Sequence, residues 1–265
     1  MRTAATVFLS QLRNVARSRW ILGYGILLAA LTELLLRFGG SGGGERALLS
    51  LMNVVLLLLP LVSVVFGTLY VYHAREFIEM LLAQPVGRGA LYAGLFGGLA
   101  LPLGGAFLAG VGLPLLLQGG GEPGFYAHCA MLLAAGALLT LVFTALALCV
   151  AVRVEDRARG LGAALLVWLL STLVYDGLIL LVTTLFGAYP LEKPLLVMVF
   201  LNPVDLARVL LLLSFDVSAL MGYTGAVYER FFHGATGTIL ALLMLLLCGA
   251  VPFGFGLRWF RRKDF

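Results

Sequence analysis

Lysine occurs only twice in this chain, at Lys193 and Lys263, and the residues before them are Glu192 and Arg262. A phosphate-binding loop needs a glycine in front of its lysine, so the chain has no ATP site of that kind. Charge of either sign is scarce. Only 12% of residues are Asp, Glu, Lys or Arg, against roughly 25% in soluble domains. With 62% hydrophobic residues and a mean hydropathy of +1.05, this excludes a soluble globular domain and indicates an integral membrane protein. The three cysteines, Cys129, Cys149 and Cys248, are scattered in or beside apolar runs without Cys-x-x-Cys spacing. They read as small buried hydrophobes and give neither a disulfide framework nor a metal site. The three histidines, His73, His128 and His233, sit on separate segments, and His-Glu-x-x-His does not occur. The chain therefore has no catalytic constellation of its own and is not read as an enzyme. Basic residues are few and lie at the borders of apolar runs, which argues against nucleic-acid binding.

What the chain does have is long apolar runs. Six reach the roughly 20 residues a bilayer requires: about 20–38, 48–72 with Pro60 as an expected kink, 91–118, 125–152, 161–186 and 236–257. Glycine-rich turns at 39–44 and 119–124 separate some of them. Residues 4–19 have Phe8, Leu9, Leu12 and Val15 on one side and Arg13, Asn14 and Arg17 on the other, so an amphipathic helix lying in the interface is expected. No small-residue cleavage site follows, so the first apolar run is expected to stay as an anchor. The expected fold is a single all-α membrane domain over 1–265, with six transmembrane helices and an interfacial helix at 1–19.

Two stretches are neither span nor plain loop. The first is 73–92, in which Arg75, Glu76, Glu79 and Arg88 accompany Met80 and Leu82 before Pro85 and Gly87 break the pattern. The second is 187–233. There Asn202 precedes Pro203 as an N-cap signal, and Leu206, Val209, Leu210 and Leu213 form an apolar face. The run 205–215 is too short to cross, so a re-entrant or interfacial helix is expected. The amino-terminal segment, 73–92, the 153–159 loop and the tail from Arg258 hold 13 Lys and Arg residues, and the other side holds 5. Excess positive charge marks the cytoplasm, so both termini and 73–92 are expected there and 187–233 outside.

Two carboxylates fall inside spans. Glu33 stands four before Arg37, as in an interfacial helix ion pair. Asp176 is deeper in the fifth span. It either meets a polar group on another span or protomer, or serves a proton relay. Met198, Met221 and Met244 are soft enough to ligate copper, but without His or Cys beside them they read as packing.

The layout of two spans, a charged stretch, four further spans and a basic tail resembles the permeases of type-2 ABC exporters. In that family the stretch after span two carries acidic residues, a short helix ending in Leu-Leu, then Pro-Val and a basic residue. Glu76, Glu79, Leu81-Leu82, Pro85-Val86 and Arg88 match that pattern, with Phe77-Ile78 in place of the family's Gly-Thr. Within the family the segments 75–89, 174–181 and 200–227 resemble permeases of nitrous oxide reductase maturation. The resemblance implies a homodimer in a bacterial inner membrane, with no cofactor in this chain and with ATP and Mg²⁺ on a separate ATPase subunit. It further implies a coupling helix seated in that subunit through Arg75, Glu76, Glu79, Met80, Leu82, Pro85 and Arg88, with a second contact at Glu155, Asp156 and Arg157. That second contact is otherwise a solvated turn. A periplasmic copper-handling partner is expected on a surface built or braced by Asn202, Asp205, Arg208, Met221 and Tyr223. Two alternatives remain in the sequence: a general exporter of a lipid, drug or polysaccharide, and a membrane scaffold or proton-coupled transporter relying on Asp176.

Overall fold

The computed structural model describes residues 18–38, 43–83, 87–117, 124–187, 191–215 and 235–263. The expected amphipathic helix before Ser18, residues 39–42 and 119–123 of the two glycine turns, Pro85, and Met221 and Tyr223 lie outside the described residues. What is described is helical: α1 (Arg19–Phe38), α2 (Gly43–His73), α3 (Arg75–Leu82), α4 (Arg88–Leu117), α5 (Phe125–Arg153), α6 (Arg157–Leu169), a π-helical turn (Leu170–Val174), α7 (Tyr175–Leu185), α8 (Glu192–Leu201), α9 (Pro203–Ser214) and α10 (Ala235–Arg262). Among the described residues, six helices are long and apolar enough to cross a membrane: α1, α2, α4, α5, the α6–α7 unit and α10.

The spans assemble around α5. It packs against α2, α4, α9 and α10, and 67% of its apolar window is buried, the largest share of any span. Its sequence explains this position. Ala135, Gly136, Thr140, Thr144, Ala145 and Ala147 are all buried and small, and in lipid close approach of small-residue faces replaces the hydrophobic drive. Thr140 costs little there, because it returns its hydroxyl to the Gly136 carbonyl at 2.9 Å. The same logic joins α1 to α4. A Cβ on Gly110 would stand 2.6 Å from the Gly25 carbonyl oxygen, so only glycine permits that backbone approach.

Pro60 leaves α2 unbroken as a helical element. Proline disturbs the carbonyls three and four residues before it. One of these, on Leu57, accepts the Trp168 indole N–H at 3.2 Å, which pins α6 to α2 at the weak point.

Between spans five and six, α8 and α9 meet at a bend of 113°. At 10 and 12 residues neither reaches across a bilayer by itself. The expected single apolar face on α9 is replaced by burial all round: Val204, Asp205, Leu206, Ala207, Val209, Leu210, Leu211 and Leu212 are buried against α5, α10 and α2. A helix lying flat in the interface keeps one face wet, so this burial marks a segment driven into the bundle.

Candidate functional site

One end of the bundle carries α3. Its eight residues lack a side-chain cap at Ala74, and an isolated helix of this length is marginal. Burial holds it: Ile78 and Leu81 point into the core. Glu76, Glu79 and Met80 face outward and are exposed, Met80 at 56%, while Arg75 and Leu82 are half-buried. Arg75 pairs with Glu79 at 3.3 Å and also reaches the Glu155 carbonyl at 3.3 Å. The turn between α5 and α6 thus lies beside α3. Glu155, Asp156 and Arg157 are exposed on it, and Asp156 caps α6 by accepting from the Arg159 amide at 2.7 Å. Tyr72 donates its hydroxyl to the Val154 carbonyl at 2.8 Å. The Tyr72 ring passes so close to Gly160 that a Cβ there would overlap its oxygen. Arg88 is exposed but turns toward the end of α10, where its Nη1 donates to the carbonyls of Arg261 and Lys263 at 2.8 and 3.0 Å.

Deeper in the bundle, the π-helical turn in span five gathers a polar cluster. At its end the Tyr175 amide bonds to the Leu170 carbonyl, five residues back, and so bypasses that of Ser171. The freed Ser171 carbonyl accepts from Asn202 Nδ2 at 2.7 Å. The same Asn202 amide donates to Asp205 Oδ2 at 2.8 Å, and its Oδ1 takes the Val204 amide at 3.1 Å as the N-cap of α9. One side chain thereby caps a helix, satisfies a π-turn and orients a buried carboxylate. Arg208 Nη1 then bridges Asp205 at 3.3 Å and Asp176 at 2.6 Å. Tyr175 donates to the Met198 carbonyl at 2.7 Å, which ties span five to α8 as well. Asn202 and Asp205 are both 3% exposed, so they brace this region from within and are not on its surface. Two carboxylates meet one guanidinium, so with both ionised the cluster carries one net negative charge.

The remaining candidates lie apart. Glu33 pairs with Arg37 at 2.7 Å on exposed α1. Met198 and Met244 sit on different helices and Met244 packs on the apolar core. Among the described residues, no group of three His, Cys, Asp or Glu side chains is placed to hold a metal.

Residues 5–265 match the family described as ABC-2 family transporter protein. This chain belongs to that family. The permease is 30% identical over 233 residues to a probable ABC transporter permease protein NosY of Pseudomonas aeruginosa, covering 82% of this chain and 84% of the relative. It is 28% identical over 223 residues to the protein of the same name from Stutzerimonas stutzeri, covering 78% and 80%. The permease is therefore a membrane component of an ABC transporter, similar to NosY.

The sequence singled out Asp176, Asn202, Asp205 and Arg208 separately, and the fold brings them together. It missed Ser171, because a backbone carbonyl freed by a π-turn leaves no trace in residue type. It also missed Tyr72 and Lys263. The one available signal for Lys263 was its rarity.

Proposed function

We propose that this permease works as a homodimer that couples ATP hydrolysis on a separate ATPase subunit to a periplasmic copper-handling protein, supporting copper-site assembly in nitrous oxide reductase. The observation that carries the coupling is the link between α8–α9 and span five through Asn202, Asp205, Arg208 and Asp176. A bent outer segment tied in this way follows any movement of span five. The copper context is supported by the resemblance of 75–89, 174–181 and 200–227 to permeases of nitrous oxide reductase maturation, alongside the similarity to NosY-named permeases.

The input end is α3. Its outward Glu76, Glu79 and Met80 offer charges for register and an apolar anchor, the pairing expected of a docking helix. Glu155, Asp156 and Arg157 extend that surface, and Pro85 follows it. Met221 and Tyr223 are assigned to the output surface by the resemblance, and the buried cluster braces α8–α9 beside it. Dimerisation is supported by span five, where only 6% of the apolar window is buried within the chain. Asp176 and Arg208 have side chains 39% and 28% exposed, and charge left facing lipid is costly. A second copy against this face removes that cost. The positive end then lies in the cytoplasm of a bacterial inner membrane, with the termini on that side.

Isolating the permease from native membranes and identifying the bound subunits tests this reading. An ATPase together with a soluble periplasmic protein supports it; an ATPase alone favours a general exporter. The charge reversal Arg75→Glu with Glu79→Lys should leave the permease inserted but lower stimulated ATP hydrolysis at least tenfold. Wild-type turnover and normal ATPase retention in that variant would remove α3 from the proposal.

A further inference from the structure

The α3 end of the bundle holds carbonyl groups that helices leave unpaired, and side chains from other elements take them up. At the end of α5 the Val152 carbonyl accepts from Lys263 Nζ at 2.9 Å. In the turn that follows, the Val154 carbonyl accepts from Tyr72 and the Glu155 carbonyl from Arg75. At the end of α10 the Arg261 and Lys263 carbonyls accept from Arg88. Cations are the favoured partners at helix carboxyl ends. Here each comes from a different segment.

These contacts close a ring. Arg75, at the start of α3, holds the α5–α6 turn. Lys263 holds the same turn, through Val152 and through Glu155 Oε1 at 3.3 Å. Arg88, just after α3, holds the chain at Lys263. The Lys263–Glu155 pair contributes little, because Glu155 is 68% exposed. The bond to Val152 matters more, since the Lys263 side chain is only 17% exposed. Arg153 stacked 4.6 Å from the Trp259 ring centre fixes α5 to α10 beside it.

We infer that Lys263 is a positioning residue that clamps α3, through the α5–α6 turn and Arg88, to spans four and six. The short helix has no side-chain cap at Ala74, so these ties add to the burial of Ile78 and Leu81 in fixing its place. A load on α3 then reaches spans four and six directly, as well as the two spans that flank it. The inference rests on reading α3 as the ATPase seat for its functional meaning, but the clamp itself is measurable in the permease alone.

Hydrogen–deuterium exchange over residues 75–82 of the purified full-length permease provides the test. Lys263→Met keeps the length and apolar stem of the side chain but loses its bonds to Val152 and Glu155. It should speed exchange of these amides by about tenfold while leaving the protected core of α5 unchanged. Lys263→Arg should restore most of the protection. In the permease–ATPase complex, Lys263→Met should retain bound ATPase and ATP hydrolysis within about twofold. It should abolish the nucleotide-driven change in distance between spin labels at Leu185→Cys of two copies. Unchanged exchange in Lys263→Met overturns the clamp, and so does loss of protection in α5 along with α3, since that is general unfolding. A wild-type permease that shows the exchange pattern but binds no ATPase overturns the seat and leaves the clamp standing.

Discussion

Asn202 shows how much one side chain decides here. Replacing it with serine keeps an oxygen for the Val204 amide, since serine caps helices nearly as well, but removes both Nδ2 bonds. The half-buried Ser171 carbonyl and the buried Asp205 carboxylate then lose a donor. Asn202→Ser should cost about 1–3 kcal/mol, the range for leaving a buried polar group unsatisfied, and thermal denaturation in detergent measures it. Arg208→Met should be worse. It strands Asp205, which is buried, and Asp176 together, and breaking a buried ion pair from one side costs about 3–5 kcal/mol. Combining it with Asp176→Asn and Asp205→Asn should recover much of the loss, because removing all the charges avoids the uncompensated one. Asp176 was visible in the sequence as a carboxylate within a span, Asn202 as a helix cap, and Asp205 and Arg208 as polar residues of the outer segment. Their partnership was not, since Asp176 and Arg208 stand 32 residues apart and meet only when α9 enters the bundle.

Local signals marked most elements well. Apolar runs bounded by glycine, proline or arginine gave the six spans to within a few residues, because bilayer thickness sets a minimum length that few other patterns satisfy. The Asn202-Pro203 cap was equally legible, since capping depends on residues adjacent in sequence. Two features were not. The π-helical turn arises from a one-residue shift in hydrogen bonding that the run Leu170–Val174 does not signal. The all-round burial of α9 depends on neighbours contributed by α2, α5 and α10. Gly160 belongs at this scale too. A methyl group there would displace the Tyr72 ring and break its bond to Val154, separating the ends of α2 and α6. Gly160→Ala should lower stability by about 1–3 kcal/mol, the usual cost of overpacking, as measured by thermal unfolding. Gly162→Ala has open space around it and serves as the control.

In the whole molecule, span five stands out as a crossing helix with almost no protein cover. Its exposed leucines, among them Leu173 and Leu181, are ordinary lipid-facing residues by type. The half-exposed Asp176–Arg208 pair beside them is not. If two copies meet there, Leu181→Cys should form a disulfide-linked dimer on mild oxidation of membranes, whereas Leu117→Cys at the end of span three should not. Equal cross-linking at both positions would argue for random collision. Composition alone settled that this chain lives in a membrane, and its two lysines settled that it holds no Gly-Lys phosphate loop, because both follow from residue type without regard to position. The spans, the cap at Asn202 and the charged stretch at α3 followed from neighbours in sequence. Tertiary structure alone decided that α9 is buried all round, that Asn202 serves a carbonyl freed in another span, that Arg88 meets the end of α10 and that Lys263 meets the Val152 carbonyl. Each of these is a bond between segments distant in the chain. Local propensity carries no information about such pairs, and only packing around α5 brings them within hydrogen-bond reach.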